Sequence, residues 1–152
     1  MLSMTEETKA EQEKILHHIF TKVFRAERKI WGHMLSEIDV TQGQPKMLNY
    51  IFENDGCIQK DIAEGTGIEP PSATSILAVM ERDGLVHRKQ CPNDKRRSRV
   101  YITEKGIEKR DKIQTIARKL SDNLLEDFSD EEKNLFYTFL ERVEKKAKQQ
   151  DE

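Results

Sequence analysis

The sequence predicts a mainly α-helical fold carrying one small β-hairpin, and three observations support this. Apolar residues recur with helical spacing near both ends of the chain, over about residues 10–38 and 104–149. Between them, residues 41–103 hold three short helical patterns, punctuated by Asn54-Asp55-Gly56, Gly65-Thr66-Gly67 and Asp83-Gly84. Two strand-like runs follow, joined by a turn-rich basic segment. The 152 residues are about one domain's worth. Apolar residues make up 36% and charged residues another 36%, with no uncharged apolar run near the ~18 residues of a membrane span. The opening MLSMTEETKAEQEK has acids where a signal peptide needs a basic start. These features exclude an integral membrane protein and predict a cytoplasmic one. Cys57 and Cys91, 34 positions apart without a CxxC, indicate neither a disulfide framework nor a cysteine-rich zinc site.

The elements follow in order. In the first block Ile15, Ile19, Val23, Ile30, Met34 and Ile38 share a face, with Leu16, Phe20, Phe24, Trp31 and Leu35 beside them. No proline interrupts it, and Gly32 is its one weak spot. Thr41 is placed to cap the next helix, with Pro45 in its first turn and Met47, Leu48, Ile51 and Phe52 as its buried face. A short helix at Gln59–Gly65 buries Ile62 and Ala63. Glu69-Pro70-Pro71-Ser72 leads into a third helix with Ala73, Ile76, Leu77, Val79 and Met80 inward. Residues 85–89 and 99–103 read as strands, and residues 91–98 as the tip of a hairpin. The last block parts near residues 128–130, where Ser129 and Glu132 make a capping box. Two short helices joined by a glycine turn and followed by a basic hairpin read as a winged helix-turn-helix.

Charge sharpens that reading. From Arg82 to Lys105 eight bases meet three acids, a net +5, whereas residues 121–152 carry −5 on a chain whose total is −2. A basic middle on an acidic frame points to a polyanion-binding face. The third helix is then the one to lie in a major groove. Its first turns offer the small hydroxyls of Ser72, Thr74 and Ser75, and free N–H groups at its start to receive a phosphate. Without Arg, Asn or Gln there, bidentate base contacts are few, so DNA shape contributes to selectivity. The arginines at the hairpin tip suit a narrow minor groove. The apolar stripes of the terminal blocks have no sheet to cover, which predicts that they pack together and against a second copy.

Catalytic signatures are missing: there is no glycine-rich phosphate loop, no G-x-S-x-G and no H-E-x-x-H. No enzyme activity, cofactor or metal is expected. His17 and His18 diverge by ~100° on a helix, and His33 and His87 are isolated. Cys57 precedes a short helix, a position that lowers a thiol pKa, so either an unreactive cysteine or a redox sensor at Cys57 or Cys91 fits.

The run Met80-Glu81-Arg82-Asp83-Gly84-Leu85-Val86, then Asp94-Lys95-Arg96-Arg97-Ser98, then Ile102-Thr103-Glu104-Lys105-Gly106 resembles the winged-helix core of the multiple-antibiotic-resistance regulator (MarR) family. Gln59-Lys60-Asp61-Ile62-Ala63-Glu64 is similar to that family's helix before the recognition helix. Pro70-Pro71 and Met80 depart from its usual pattern. The resemblance implies a bacterial, homodimeric transcription regulator on double-stranded DNA. It places Ser72, Thr74 and Ser75 on the recognition helix, has Asp94 orient Arg96, and sends Arg96 into a minor groove. Gln59, Lys60, Arg82, Arg88, Lys95, Arg97 and Arg99 complete the candidate DNA-contacting set. It also implies a pocket for a small aromatic or amphipathic effector, for which Phe24, Trp31, Met47 and Tyr50 are candidates that would serve equally as core. The expected organisation is an N-terminal dimerisation helix (1–40), a winged helix-turn-helix lobe (41–103) and C-terminal dimerisation helices (104–152), intertwined as one domain. The rival reading is a winged-helix module whose basic hairpin binds an acidic protein partner.

Overall fold

The computed structural model describes the backbone of residues 6–91 and 94–150 and the side chains of residues 15–90 and 98–150. The elements are α1 (Glu6–Ser36), α2 (Gln44–Glu53), β1 (Cys57–Ile58), α3 (Gln59–Thr66), α4 (Pro70–Arg82), β2 (Val86–Cys91), β3 (Asp94–Ile102), α5 (Glu104–Leu124) and α6 (Asp130–Lys148). This is a mainly helical winged helix-turn-helix. None of its described helices is long and apolar enough to cross a membrane. The chain forms two compact units that divide within α5, after Ile116.

The first unit holds the core. Leu35 of α1, Met47, Leu48 and Ile51 of α2, Ile62 of α3, Leu77 and Met80 of α4, and Val100 of β3 are all fully buried. Leu85, Val86 and Ile113 close the cluster, with Trp31, Ile38, Ile68 and Ile76 packed around it. At roughly 1.5–3 kcal/mol per buried aliphatic side chain, this cluster is the main stabilising term of the unit. The first thirteen residues of α5 belong here too: Lys109 Nζ donates to the Ile38 carbonyl at 2.8 Å and Gln114 Nε2 to Asn49 Oδ1 at 3.2 Å. The hairpin β2–β3 is antiparallel, and β1 adds a third strand on the far side of β3, with Cys57 opposite Val100.

Four local expectations are corrected. Thr41 does not cap α2. Its backbone N–H instead donates to the side-chain oxygen of buried Gln44 at 3.0 Å, and Gly43 occupies the cap position without a side-chain bond. Phe52 is 41% exposed rather than buried, and the contact on its ring is the Arg110 guanidinium, 4.0 Å from its centre, in a cation–π arrangement. Strands extend further into the hairpin than the turn-rich composition of residues 91–98 suggests, since ladder pairing reaches Cys91 and Asp94. β1 was not expected at all: two residues are too short for an alternating pattern.

In the second unit Ser129 caps α6 as its sequence predicts. The Glu132 N–H donates to Ser129 Oγ at 3.2 Å, and the Ser129 N–H donates to the Glu132 carboxylate at 2.8 Å. Leu135, Phe136, Phe139, Leu140 and Val143 of α6 are exposed. In the first unit, Ile15, Leu16, Ile19, Phe20, Val23 and Phe24 of α1 are exposed as well. Such apolar faces on a folded chain mark surfaces that bury against something else.

Candidate nucleic-acid interface

The helix-turn-helix is α3 and α4 joined by Gly67, Ile68 and Glu69. Gly67 adopts the left-handed region at φ 65°, where a side chain would be strained, and this lets Ile68 turn back so that its N–H meets the Ala63 carbonyl at 3.2 Å. Buried Ala73, Leu77 and Met80 fix one face of α4 against the core, leaving Ser72, Thr74 and Ser75 on the exposed face. At the start of α4 the proline pair corrects an expectation. Pro70 and Pro71 have no N–H, and the Ala73 N–H is taken by the Glu69 carbonyl at 2.9 Å. Of the first four amides only that of Ser72 is available to a phosphate, so the anion site at this helix start is weaker than its position suggests.

Hydroxyl bonding further sorts the three candidates. Thr74 Oγ1 donates to the Pro70 carbonyl at 2.8 Å, and Ser75 Oγ to the Pro71 carbonyl at 3.1 Å. Across from Thr74, Gln59 Nε2 of α3 donates to Thr74 Oγ1 at 2.6 Å. The structure therefore brings Gln59 and Thr74 together. Lys60 is exposed one residue further on, paired with Glu64 at 3.6 Å. Arg82 sits at the opposite end of α4, about 15 Å along the axis from Ser72 at 1.5 Å per residue, with Nε on Asp83 at 2.9 Å.

In the sheet, Arg88 Nε lies 3.1 Å from Glu81 Oε2 on α4, at an angle that makes an ion pair but no hydrogen bond. Arg99 Nη1 donates to the Gly56 carbonyl at 2.8 Å. Both arginines thus tie the wing to its own lobe, a structural role that their basic character did not reveal. The side chains of Asp94, Lys95, Arg96 and Arg97, like that of Cys91, lie outside the described residues. Lys89 is exposed, its Nζ 5.3 Å from the Tyr101 ring centre, and Tyr101 stacks on His87 at 5.4 Å.

Of the effector candidates, Phe24 and Trp31 line a cleft of about 410 Å³ with Glu27, Arg28, Gln42, Gly43, Lys46 and Ile68. Met47 and Tyr50 do not line it. Met47 is fully buried, and Tyr50 lies on the bare backbone of Gly65. Arg28 and Lys46 are the cleft's cations and were not anticipated. The signal was available, because Arg28 falls four residues after Phe24 and three before Trp31, on their face of α1. Arg28 Nε donates to Gln42 Oε1 at 2.9 Å, closing one wall.

Cys57 also departs from expectation. Partial burial pushes its thiol above the ordinary range, with Asp61 and Asp55 adding to the effect, so the preceding-helix position does not activate it. Among the described residues, no cluster of three or more His, Cys, Asp or Glu could hold a metal ion.

Comparison with known proteins bears on the whole arrangement. A family model described as MarR family matches residues 40–98. The transcriptional regulator HosA of Escherichia coli is 30% identical over 130 residues, which span 83% of this chain and 92% of HosA. The HTH-type transcriptional regulator BilQ of Clostridioides difficile is 30% identical over 98 residues, 64% of this chain and 66% of BilQ, just under two thirds of its length. The crystal structure of MarR superposes with a TM-score of 0.75 at 25% identity, covering 88% of this chain and 98% of that one. Regulators, not enzymes, make up this group, and the chain belongs to it: it is a member of the MarR family of DNA-binding winged-helix transcriptional regulators.

Proposed function

We propose that the chain acts in the cytoplasm as a homodimer on a pseudo-palindromic duplex. The α4 helices of the two copies enter major grooves about one helical turn apart, and the two wings reach flanking minor grooves. The observation that carries this reading is the exposed face of α4. Its small side chains Ser72, Thr74 and Ser75 stand on a helix that Ala73, Leu77 and Met80 anchor in the core, so the backbone can approach base edges closely. Arg96 enters the minor groove from the wing, oriented by Asp94, with Lys95 and Arg97 beside it. Lys60 and the Ser72 amide meet phosphates. The apolar faces of α1 and α6, within the blocks 1–40 and 104–152, bury against the second copy. That burial is the most economical account of so many exposed large apolar side chains.

An effector tunes the spacing of the two α4 helices. The cleft beside Phe24 and Trp31 has aromatic walls and the cations Arg28 and Lys46, a combination that suits an aromatic or amphipathic molecule bearing an anionic group.

The test is a titration of the full chain on a duplex selected from a random pool and on its scrambled counterpart, across a salt series. Neutralising roughly 6–10 phosphates gives a log K–log salt slope of about −0.9 per phosphate. Arg96→Ala weakens binding to the selected duplex by about 1–3 kcal/mol and flattens the slope slightly. Equal affinity of Arg96→Ala and the parent chain for both duplexes contradicts the wing assignment. Salt-independent binding, or none at low salt, favours the rival reading, a winged-helix module that binds an acidic protein partner.

A further inference from the structure

The Gln59–Thr74 contact assigns roles that neither residue shows alone. The Thr74 hydroxyl has one proton, and it is given to the Pro70 carbonyl at 2.8 Å. What Thr74 Oγ1 presents to Gln59 is therefore a lone pair, which fixes the Gln59 amide with Nε2, not Oε1, toward it at 2.6 Å. One of the two N–H donors of Gln59 is thereby consumed. A single N–H and the Oε1 acceptor remain on a side chain at the first turn of α3, beside the exposed start of the recognition helix.

We infer that Gln59 is a specificity-determining residue that reads adenine in the major groove, and that Thr74 is a positioning residue that makes this choice by engaging the second N–H. The inference rests on the reading of α4 as a groove-entering helix. Adenine presents N7 as acceptor and the N6 amino group as donor, the complement of one N–H and one carbonyl oxygen. Guanine presents two acceptors, N7 and O6. An unclamped glutamine could meet them by rotating to offer N–H alone, but a clamped one sets Oε1 against O6. Thr74 thus contributes no base contact of its own, although its exposure on α4 suggests one.

The test uses full-length protein and the duplex it selects from a random pool, with each position replaced in turn by the other three base pairs. The parent chain prefers adenine over guanine about tenfold at one position in each half-site. Gln59→Ala abolishes the preference there and leaves the other positions unchanged. Thr74→Val, which keeps the shape and removes the lone pair, lets guanine approach adenine at that same position. Thr74→Ser, which keeps the hydroxyl, restores the preference. Circular dichroism melting confirms that the variants are folded. The inference is overturned if Thr74→Val changes a different position from Gln59→Ala, which makes Thr74 a reader itself. Uniform weakening by Gln59→Ala overturns it too, since that signature belongs to a phosphate contact. If the parent chain selects no sequence, the groove-entering reading itself falls. If it selects one that ignores Gln59, only this inference falls.

Discussion

Gly106→Ala tests the joint between wing and lobe. Gly106 is the third residue of α5, and its N–H donates to Thr103 Oγ1 at 3.0 Å. The Thr103 hydroxyl in turn donates to the Gly84 carbonyl at 2.7 Å, and the Thr103 N–H donates to the Leu85 carbonyl at 3.1 Å. A methyl group at Gly106 would overlap the Leu85 carbonyl oxygen and come within 2.8 Å of Ile102 Cγ1. The oxygen is backbone and cannot swing aside, so α5 must lift from the start of β2. Overpacking of this kind costs roughly 1–3 kcal/mol. Loosening the Thr103–Leu85 bond adds about 1 kcal/mol, and alanine's better helix propensity returns about 1 kcal/mol. The net loss is therefore about 1–3 kcal/mol. With an m-value of roughly 1–3 kcal/mol per molar urea, the unfolding midpoint falls by about 1 M. Urea unfolding followed by circular dichroism reads it. An unchanged or higher midpoint means that propensity outweighs the clash and that the close approach of α5 to Leu85 is misjudged.

Two further predictions concern the second unit and the Cys57 thiol. Ser129→Ala removes the hydroxyl arm of the α6 capping box, leaving the residue-129 N–H on the Glu132 carboxylate, and costs about 1 kcal/mol, so hydrogen exchange of the Glu132 amide quickens roughly fivefold, whereas unchanged exchange there rejects the cap. For Cys57, burial holds the proton more tightly in the folded state than in the unfolded one. Stability from this residue is complete below the ordinary thiol pKa and declines as pH rises past it. Site-resolved alkylation at neutral pH is accordingly slower in native protein than in urea, and equal rates contradict the burial.

Much of this was legible in the sequence because the signals were local. The Ser129–Glu132 spacing names a capping box, and the Ala73, Leu77, Met80 spacing names the buried face of α4; both depend on neighbours within one or two turns. The terminal stripes were legible as apolar but not as exposed, since periodicity reports a face and not its partner. What escaped was set by contacts distant in the chain. Arg88 and Arg99 read as surface cations until Glu81 and the Gly56 carbonyl meet them, the latter 43 residues away. Phe52 matches its helix's buried face, yet it is left exposed with Arg110 of α5 over its ring. Thr74 looks like a contact residue until Gln59, 15 residues earlier, takes its lone pair. The prolines of α4 stand in the sequence itself, and they leave two of the four positions at its start without an N–H donor.

If two copies grip one duplex, the mass of the complex reports it. Light scattering of the free chain at micromolar concentration should give twice 17.8 kDa. With the selected duplex at low salt, it should give that mass plus a single duplex. Deleting residues 130–152 should yield monomer or aggregate with the site lost. A well-behaved free monomer, or one chain bound per duplex, contradicts the two-copy arrangement.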